Sequence, residues 1–260
     1  MKKIGVIGLG LIGGSIFRDL RSMGYDCIGI SQSQKGLENV YSEYSYLSDC
    51  QIVFVCKEMS KTLNTLKEIE KYLTPETIVT DVCSLKEFLT HEEYKYNFVP
   101  SHPMAGTEFS GWDNSQEGLF NGAKWVITPL TKEYKAGELE KIIEKLGAEI
   151  VYTTPEEHDK AVAMISHAPM VMAQALFKMS QDNQLAQKLA SSGFRDMTRL
   201  ALSSIDMADD MVSMNSKNIQ ECILKFYATM GDLIGKDYKR EITEIKSKRN
   251  LMYKDGKNVL

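Results

Sequence analysis

The sequence predicts an α/β Rossmann-type dinucleotide-binding domain followed by an all-α helical domain. Three observations carry this reading. A glycine-rich turn joins a strand to a helix at the start of the chain, apolar runs alternate with amphipathic stretches up to residue 153, and only helical periodicity follows from residue 154. The expected division is therefore 1–153 and 154–260.

The elements follow in order. Lys3-Ile4-Gly5-Val6-Ile7 reads as a buried strand, and Ile12 to Met23 as a helix with Gly24 at its C-terminal end. Cys27 to Ile30 is a second strand and Ile52 to Cys56 a third, with a helix from Ser60 to Tyr72 after it. Thr77 to Asp81, Asn97 to Pro100 and Lys124 to Thr128 read as further strands. A helix from Lys135 to Leu146 leads to Glu149-Ile150-Val151-Tyr152. Strands alternating with helices imply one parallel sheet covered on both faces. Beyond Pro155 no strand is expected. Thr154 has the side chain of a helix cap, with Pro155 at the first helical position. Ala161, Ile165, Ala168, Met172, Ala175 and Met179 then recur at helical spacing, which predicts a buried stripe. Ile219, Ile223, Phe226, Met230 and Leu233 form a narrower seam, which fits either intrachain packing or a subunit interface. The charged tail after Lys236 reads as solvated.

Composition narrows the function. Apolar residues make up 43% and charged residues 25%, close to the globular average, which excludes wholesale disorder. The net charge of -4 argues against a general nucleic-acid binder. No apolar run approaches the ~18 residues of a membrane span, and the glycine-filled N-terminus reads as strand and turn, so a cytoplasmic protein is expected. The five cysteines form no CxxC pair and the histidines no cluster, so neither a disulfide framework nor a metal site is expected. Asp206, Asp209 and Asp210 lack calcium-loop spacing and read as helix starts and a solvated face.

Gly8-Leu9-Gly10-Leu11-Ile12-Gly13 carries the first chemistry. Gly8 permits a tight turn, Gly10 leaves room for a pyrophosphate, and Gly13 lets helix and strand pack closely. The helix N-terminus, beginning at Leu11 and Ile12, offers free N–H groups to phosphate. An NAD enzyme usually places a carboxylate at the end of the second strand, about 20 residues beyond the turn, on the ribose 2′-hydroxyl. Here that stretch reads Ser31-Gln32-Ser33-Gln34-Lys35, without a carboxylate. Ser31, Gln32 and Ser33 suit a 2′-phosphate and Lys35 adds charge, so NADP is expected over NAD, although no arginine accompanies them.

The second candidate segment is Ser101-His102-Pro103-Met104-Ala105-Gly106-Thr107-Glu108. His102 is the best general acid–base candidate, because histidine titrates near neutrality and this one lies at a predicted strand end, where open α/β sheets bind ligands. Ser84, in Asp81-Val82-Cys83-Ser84-Leu85-Lys86, leaves the preceding strand in the same direction. Helix capping is the alternative for Asp81 and Ser84. His167 lies among apolar helical residues and reads equally as structural or as site-facing, with Ser166 sharing its role. His158 reads as packing or capping, His91 as surface, and Trp112 and Trp125 as core.

These segments together resemble the prephenate and arogenate dehydrogenases. The matching stretches are GLGLIGGS at Gly8–Ser15, TDVCSLK at Thr80–Lys86, SHPMAGTEFSG at Ser101–Gly111, LFNGAKWVITP at Leu119–Pro129, EEHDKAVAMISHAP at Glu156–Pro169 and SGFRDMTRLA at Ser192–Ala201. They occur in family order, and HPMAGTE with FRDMTR is far more specific than the glycine turn. The resemblance implies an NAD(P)-dependent oxidative decarboxylation in tyrosine biosynthesis, with the helical domain serving substrate binding and homodimerisation. It leaves no mutase domain before the dehydrogenase and no room for a regulatory domain after it. His102 matches the family histidine that accepts the ring-hydroxyl proton, and Ser84 the serine that contacts the same hydroxyl. Thr107 falls in the substrate-lining loop. Arg199 matches the arginine that holds a substrate carboxylate, a role suited to a bidentate guanidinium. Arg195, one turn earlier, adds charge to the site or contacts a neighbouring subunit.

Two departures bear on substrate. Some prephenate-using members carry a second histidine where this chain has Met170, and several arogenate-using members have an apolar residue there. The missing carboxylate after the second strand is also similar to the NADP-linked arogenate enzymes. A third departure is Cys56-Lys57-Glu58, where many relatives have a proline-containing turn. The competing readings are another two-domain reductase, such as a hydroxyacid dehydrogenase or imine reductase, and a nicotinamide-sensing module without turnover. The reductases commonly use a helical lysine as acid–base, which the HPMAGTE loop and Arg199 do not suit. The sensor leaves His102 and Ser84 without a purpose.

Overall fold

A strand buried on both faces needs apolar residues on both, and β1 (Lys3–Ile7) has them, with Ile4, Val6 and Ile7 fully inaccessible. It pairs in parallel with β2 (Asp26–Ile30) on one side and β4 (Ile52–Val55) on the other. The computed structural model describes residues 2–34, 36–107, 109–131, 136–235, 237–254 and 257–258. Lys35, Glu108 and the expected helix start at Lys135 lie outside these.

β3 (Val40–Tyr41), β5 (Ile78–Asp81) and β6 (Asn97–Phe98) complete a six-stranded parallel sheet in the order β3-β2-β1-β4-β5-β6. The strand order reverses between β1 and β4, and the crevice beyond the carboxyl ends of such a pair is where open α/β sheets take ligands. α1 (Leu11–Ser22) links β1 to β2, and α2 (Met59–Ile69) links β4 to β5. Gly24, at φ +78°, ends the segment after α1 as expected.

One expectation needs correction. The strands after residue 100 do not join this sheet. β7 (Ser101–Pro103) runs antiparallel to β8 (Lys124–Ile127), which is parallel to β9 (Glu149–Tyr152), in a separate three-stranded sheet. Pro100 has no N–H, and the N–H of Ser101 donates instead to Asp81 Oδ1 at 3.2 Å. The ladder to β5 therefore stops after the bond from Val99 N–H to the Val79 carbonyl, and the chain turns away. α3 (Gly137–Lys145) packs on β9, and one core that includes Ile4, Phe54, Trp125 and Leu139 spans both sheets.

The second half is helical. α4 (Pro155–Val162) opens with a full capping box, in which Thr154 accepts from Glu157 N–H and Glu157 accepts from Thr154 N–H. A π-helical turn at Ala163–His167 joins it to α5 (Ala168–Ser180). α6 (Gln184–Leu189), α7 (Ser192–Thr198), α8 (Ile205–Met214), α9 (Ser216–Gly235) and α10 (Tyr238–Met252) follow. A two-residue hairpin, β10 (Tyr253–Lys254) with β11 (Lys257–Asn258), departs from the strand-free expectation.

The expected buried stripe holds only at Ala168, which is buried, and at Met172, which packs beside it, and a π turn breaks it elsewhere. The turn carries one extra residue and so rotates the inward face. Val162, Ala163, His167, Ala168, Met170 and Ala173 face inward, while Ile165 and Met179 are 63% and 70% exposed. The second seam divides. Ile219 is buried and Ile223 packs beside it, whereas Phe226 and Met230 open to solvent. Among the described residues no helix is long and apolar enough to cross a membrane.

Candidate active site

The glycine turn has the form the sequence predicts. Gly8 sits at φ +84°, and a Cβ there would lie 2.2 Å from the Cys56 carbonyl oxygen. A Cβ on Gly13 would lie 2.0 Å from the Gly8 oxygen and 2.8 Å from Cys56 Cβ. The Cys56-Lys57-Glu58 segment thus begins as the wall against which the turn packs. Gly10 differs, since a Cβ there would meet nothing within 4 Å. Gly10 is the N-cap of α1 and offers no side-chain cap, so the N–H groups of Leu11 and Ile12 lack a side-chain acceptor. Open space beside uncapped N–H groups fits a dinucleotide pyrophosphate.

At the end of β2, Ser31 is buried. Its hydroxyl lies 3.3 Å from the Ser33 hydroxyl and accepts from Gln34 N–H at 3.2 Å, while Gln32 Nε2 donates to the Ser42 carbonyl at 2.8 Å. A cavity of about 260 Å³ adjoins them, lined by Ser31, Tyr41, Ser42, Glu43 and Tyr46.

The second part of the site is built around Asp81, the last residue of β5. Its buried carboxylate pairs with the ammonium of Lys86, also fully buried, and accepts from Cys83 N–H at 2.9 Å. Lys86 Nζ also donates to the Ser101 carbonyl at 2.7 Å. Trp125 Nε1 donates to Ser101 Oγ at 3.0 Å, and that hydroxyl is bonded to the Asp81 carbonyl at 2.9 Å. Asp81 is therefore no helix cap. With Lys86 it clamps the Ser84 loop to the His102 strand.

His102 is half-buried. Its Nδ1 lies 3.0 Å from Nε2 of His158, whose Nδ1 lies 2.7 Å from Asp159 Oδ1. Burial first, then the neighbouring His158 and Lys86, holds His102 well below the usual histidine range, so it is uncharged at neutral pH. Its Nε2 has no hydrogen-bond partner among the described residues. Asp159 is fixed from three sides. Its carboxylate accepts from Lys86 N–H and Glu87 N–H, each at 2.9 Å, and its carbonyl accepts from Asn215 Nδ2 at 3.0 Å. His158 and Asp159 were not predicted to take part, and neither was Lys86. A partner 56 residues away is invisible to periodicity. The adjacent His-Asp pair in the first turns of a capped helix was the available signal.

His167 is buried with Nδ1 3.2 Å from Asn215 Nδ2, and burial pushes its pKa down to about 4. Ser166 and Ser84 are half-buried, with hydroxyls free of hydrogen bonds among the described residues. Met59, Cys83, Leu85, Val162, Met170 and Met211 form one buried apolar cluster, with Met104 and Leu200 packed on it. It brings together three sequence neighbours of predicted site residues, Cys83 beside Ser84, Met104 near His102 and Leu200 beside Arg199, with Met170 itself. Arg199 is exposed and its guanidinium makes no ion pair among the described residues. Arg195 is not free, since it pairs with Asp196 at 3.1 Å. Thr107 is exposed and accepts from Phe109 N–H at 3.2 Å. Asp210, expected on a solvated face, accepts from both N–H and Oγ of Ser60 at 3.0 Å and ties α8 to α2. Among the described residues no group of side chains forms a metal site.

Comparison with known proteins fits this arrangement. The family model described as "Prephenate dehydrogenase, nucleotide-binding domain" matches residues 23–152, and "Prephenate dehydrogenase, dimerization domain" matches 154–246. The chain belongs to the prephenate dehydrogenase family. Among family members of known structure, Synechocystis arogenate dehydrogenase is 33% identical, with 96% of this chain and 97% of that one covered and a TM-score of 0.78. Prephenate dehydrogenase from A. aeolicus, in complex with hydroxyphenyl propionate and NAD+, is 26% identical over 97% and 99% of the two chains, with a TM-score of 0.86. The prephenate dehydrogenase of Lactococcus lactis is 28% identical over 100% of this chain and 77% of its own length. The nucleotide-binding part and the helical part of the family are thus both present here.

Proposed function

We propose that this member of the family oxidatively decarboxylates arogenate in preference to prephenate, with NADP in preference to NAD, as a homodimer formed through its helical domain, residues 154–260. The observation that carries the reaction is His102, neutral and with Nε2 unengaged among the described residues. A bound nicotinamide supplies the hydride acceptor. Gly8, Gly10 and Gly13 shape the turn that receives the dinucleotide, and the N–H groups of Leu11 and Ile12 take its phosphates. His102 Nε2 accepts the ring-hydroxyl proton as hydride leaves the carbon bearing that hydroxyl, and Ser84 orients the oxygen. The proton returns to the same oxygen as carbon dioxide departs and the ring becomes aromatic, so the steps balance. Arg199 holds a substrate carboxylate, with Thr107 and Ser166 lining the site and Arg195 adding charge.

Met170 supports arogenate. A buried thioether gives no charged hydrogen bond to the keto-acid side chain of prephenate, and the arogenate dehydrogenase of Synechocystis is among the similar structures. The pair Ser31 and Ser33, without a carboxylate at the end of β2, supports NADP. One observation favours NAD instead: Glu43 is among the residues that line the cavity beside Ser31, and a negative charge there would repel a 2′-phosphate. Absorbance at 340 nm with each substrate and each nucleotide decides. Fastest reduction with arogenate and NADP is expected. Reduction mainly with prephenate refutes the reading of Met170, faster turnover with NAD refutes that of Ser31, and no reduction in any mixture refutes the reaction.

A further inference from the structure

We infer that His158 and Asp159 fix the tautomer of His102, presenting an unprotonated Nε2 to the substrate. They are a positioning pair for the reaction proposed above, on which this inference partly rests. The argument runs inward from Asp159. Oδ1 accepts Lys86 N–H and Oδ2 accepts Glu87 N–H, both at 2.9 Å. These main-chain donors favour the ionised carboxylate, and an imidazole nitrogen is a stronger base than a carboxylate oxygen. The proton between Asp159 and His158, at 2.7 Å, therefore sits on His158 Nδ1.

A neutral imidazole protonated at Nδ1 has a bare acceptor at Nε2. That acceptor faces His102 Nδ1 at 3.0 Å, with the rings edge-on at 77°. The proton between the two rings consequently belongs to His102 Nδ1, and His102 Nε2 is left bare. Between two neutral rings, no other tautomer pairs every donor in the chain with an acceptor. When His102 takes the hydroxyl proton, its Nδ1–H still points at a lone pair, and the positive charge lies two hydrogen bonds from a carboxylate. The anchors come from both halves of the chain: Lys86 and Glu87 from the loop after β5, the capping box that starts α4, and Asn215 on the Asp159 carbonyl.

The test uses the whole protein, labelled with 15N-histidine, at neutral pH. Long-range 1H–15N spectra read the tautomer, with His102→Gln assigning the resonance. The expected result is a pyrrole-type Nδ1 and a pyridine-type Nε2 on His102. Protonated Nε2 on His102 overturns the inference, whatever the turnover. Two variants then separate hydrogen bonding from packing. His158→Gln keeps an acceptor in reach of His102 Nδ1, and His158→Leu removes it. His158→Leu should lower kcat on the order of 10- to 100-fold at nearly unchanged KM and admit the Nε2–H tautomer of His102. His158→Gln should recover most of kcat and the original tautomer. Equal kcat in the two variants overturns the inference. A wild-type protein inactive on every substrate counts against the proposed reaction alone, and the spectrum still decides the tautomer.

Discussion

His102 and Arg199 divide the work of the proposed site between turnover and binding, and their variants should separate accordingly. His102→Asn removes the base without adding bulk. Turnover should fall on the order of 10²- to 10⁴-fold while nucleotide binding, measured by calorimetry, is kept. Unchanged turnover would take His102 out of the mechanism. Arg199→Lys keeps the charge and loses the planar fork, so KM should rise about tenfold or more with a smaller change in kcat. The buried histidines also set acid sensitivity. His167 has its pKa lowered from 6.5 to about 4, so between those values the unfolded chain binds a proton that the folded one refuses. This contribution is complete above pH 6.5 and lost as pH falls toward 4, a change on the order of 3 kcal/mol. His102 acts in the same direction. Urea midpoints measured across that range should drop with acid in the native protein and drop less in His167→Gln.

The glycine turn offers a cleaner separation at the level of the element. Gly10→Ala meets nothing in the folded protein but occupies the space left for phosphate. It should weaken nucleotide binding at least tenfold at an unchanged melting temperature. Gly13→Ala drives a Cβ into the Gly8 carbonyl and should lower the melting temperature as well. In α4, Thr154→Ala breaks the capping box at a cost of about 1 kcal/mol, or roughly 2–4 °C in a thermal melt. These features were legible in the sequence because their chemistry is local. Glycine spacing, a threonine before a proline and a histidine after an apolar run each carry their meaning within a few residues. The His102–His158 contact, the burial of Lys86 and the second sheet were not legible. The first depends on the approach of two distant segments. Lys86 looks like a surface residue until Asp81 and the Ser101 carbonyl surround it. The second sheet follows from one side chain, Asp81, taking a main-chain donor that a neighbouring strand would otherwise use. Part of the stripe on α4 and α5 departs from its expected phase because a π turn at Ala163–His167 interrupts the helical spacing.

At the scale of the molecule, the helical half leaves a great deal of apolar surface open. Ile205 is 85% exposed, Ile234 80%, Tyr227 74% and Leu224 70%. An unpartnered face of this kind invites association. In the proposed homodimer, sedimentation should give twice the chain mass, and Leu224→Glu with Tyr227→Glu should shift it toward monomer. A wild-type protein that sediments only as monomer over a wide concentration range refutes the dimer. The methionine-rich cluster that joins the two halves has another consequence. Met59, Cys83 and Leu85 come from one half of the sequence, and Val162, Met170 and Met211 from the other. Neither half owns this surface, so neither can shed its neighbour without wetting it. Heating should therefore give a single calorimetric peak, and protease cleavage near residue 153 should yield fragments that stay together or are lost together.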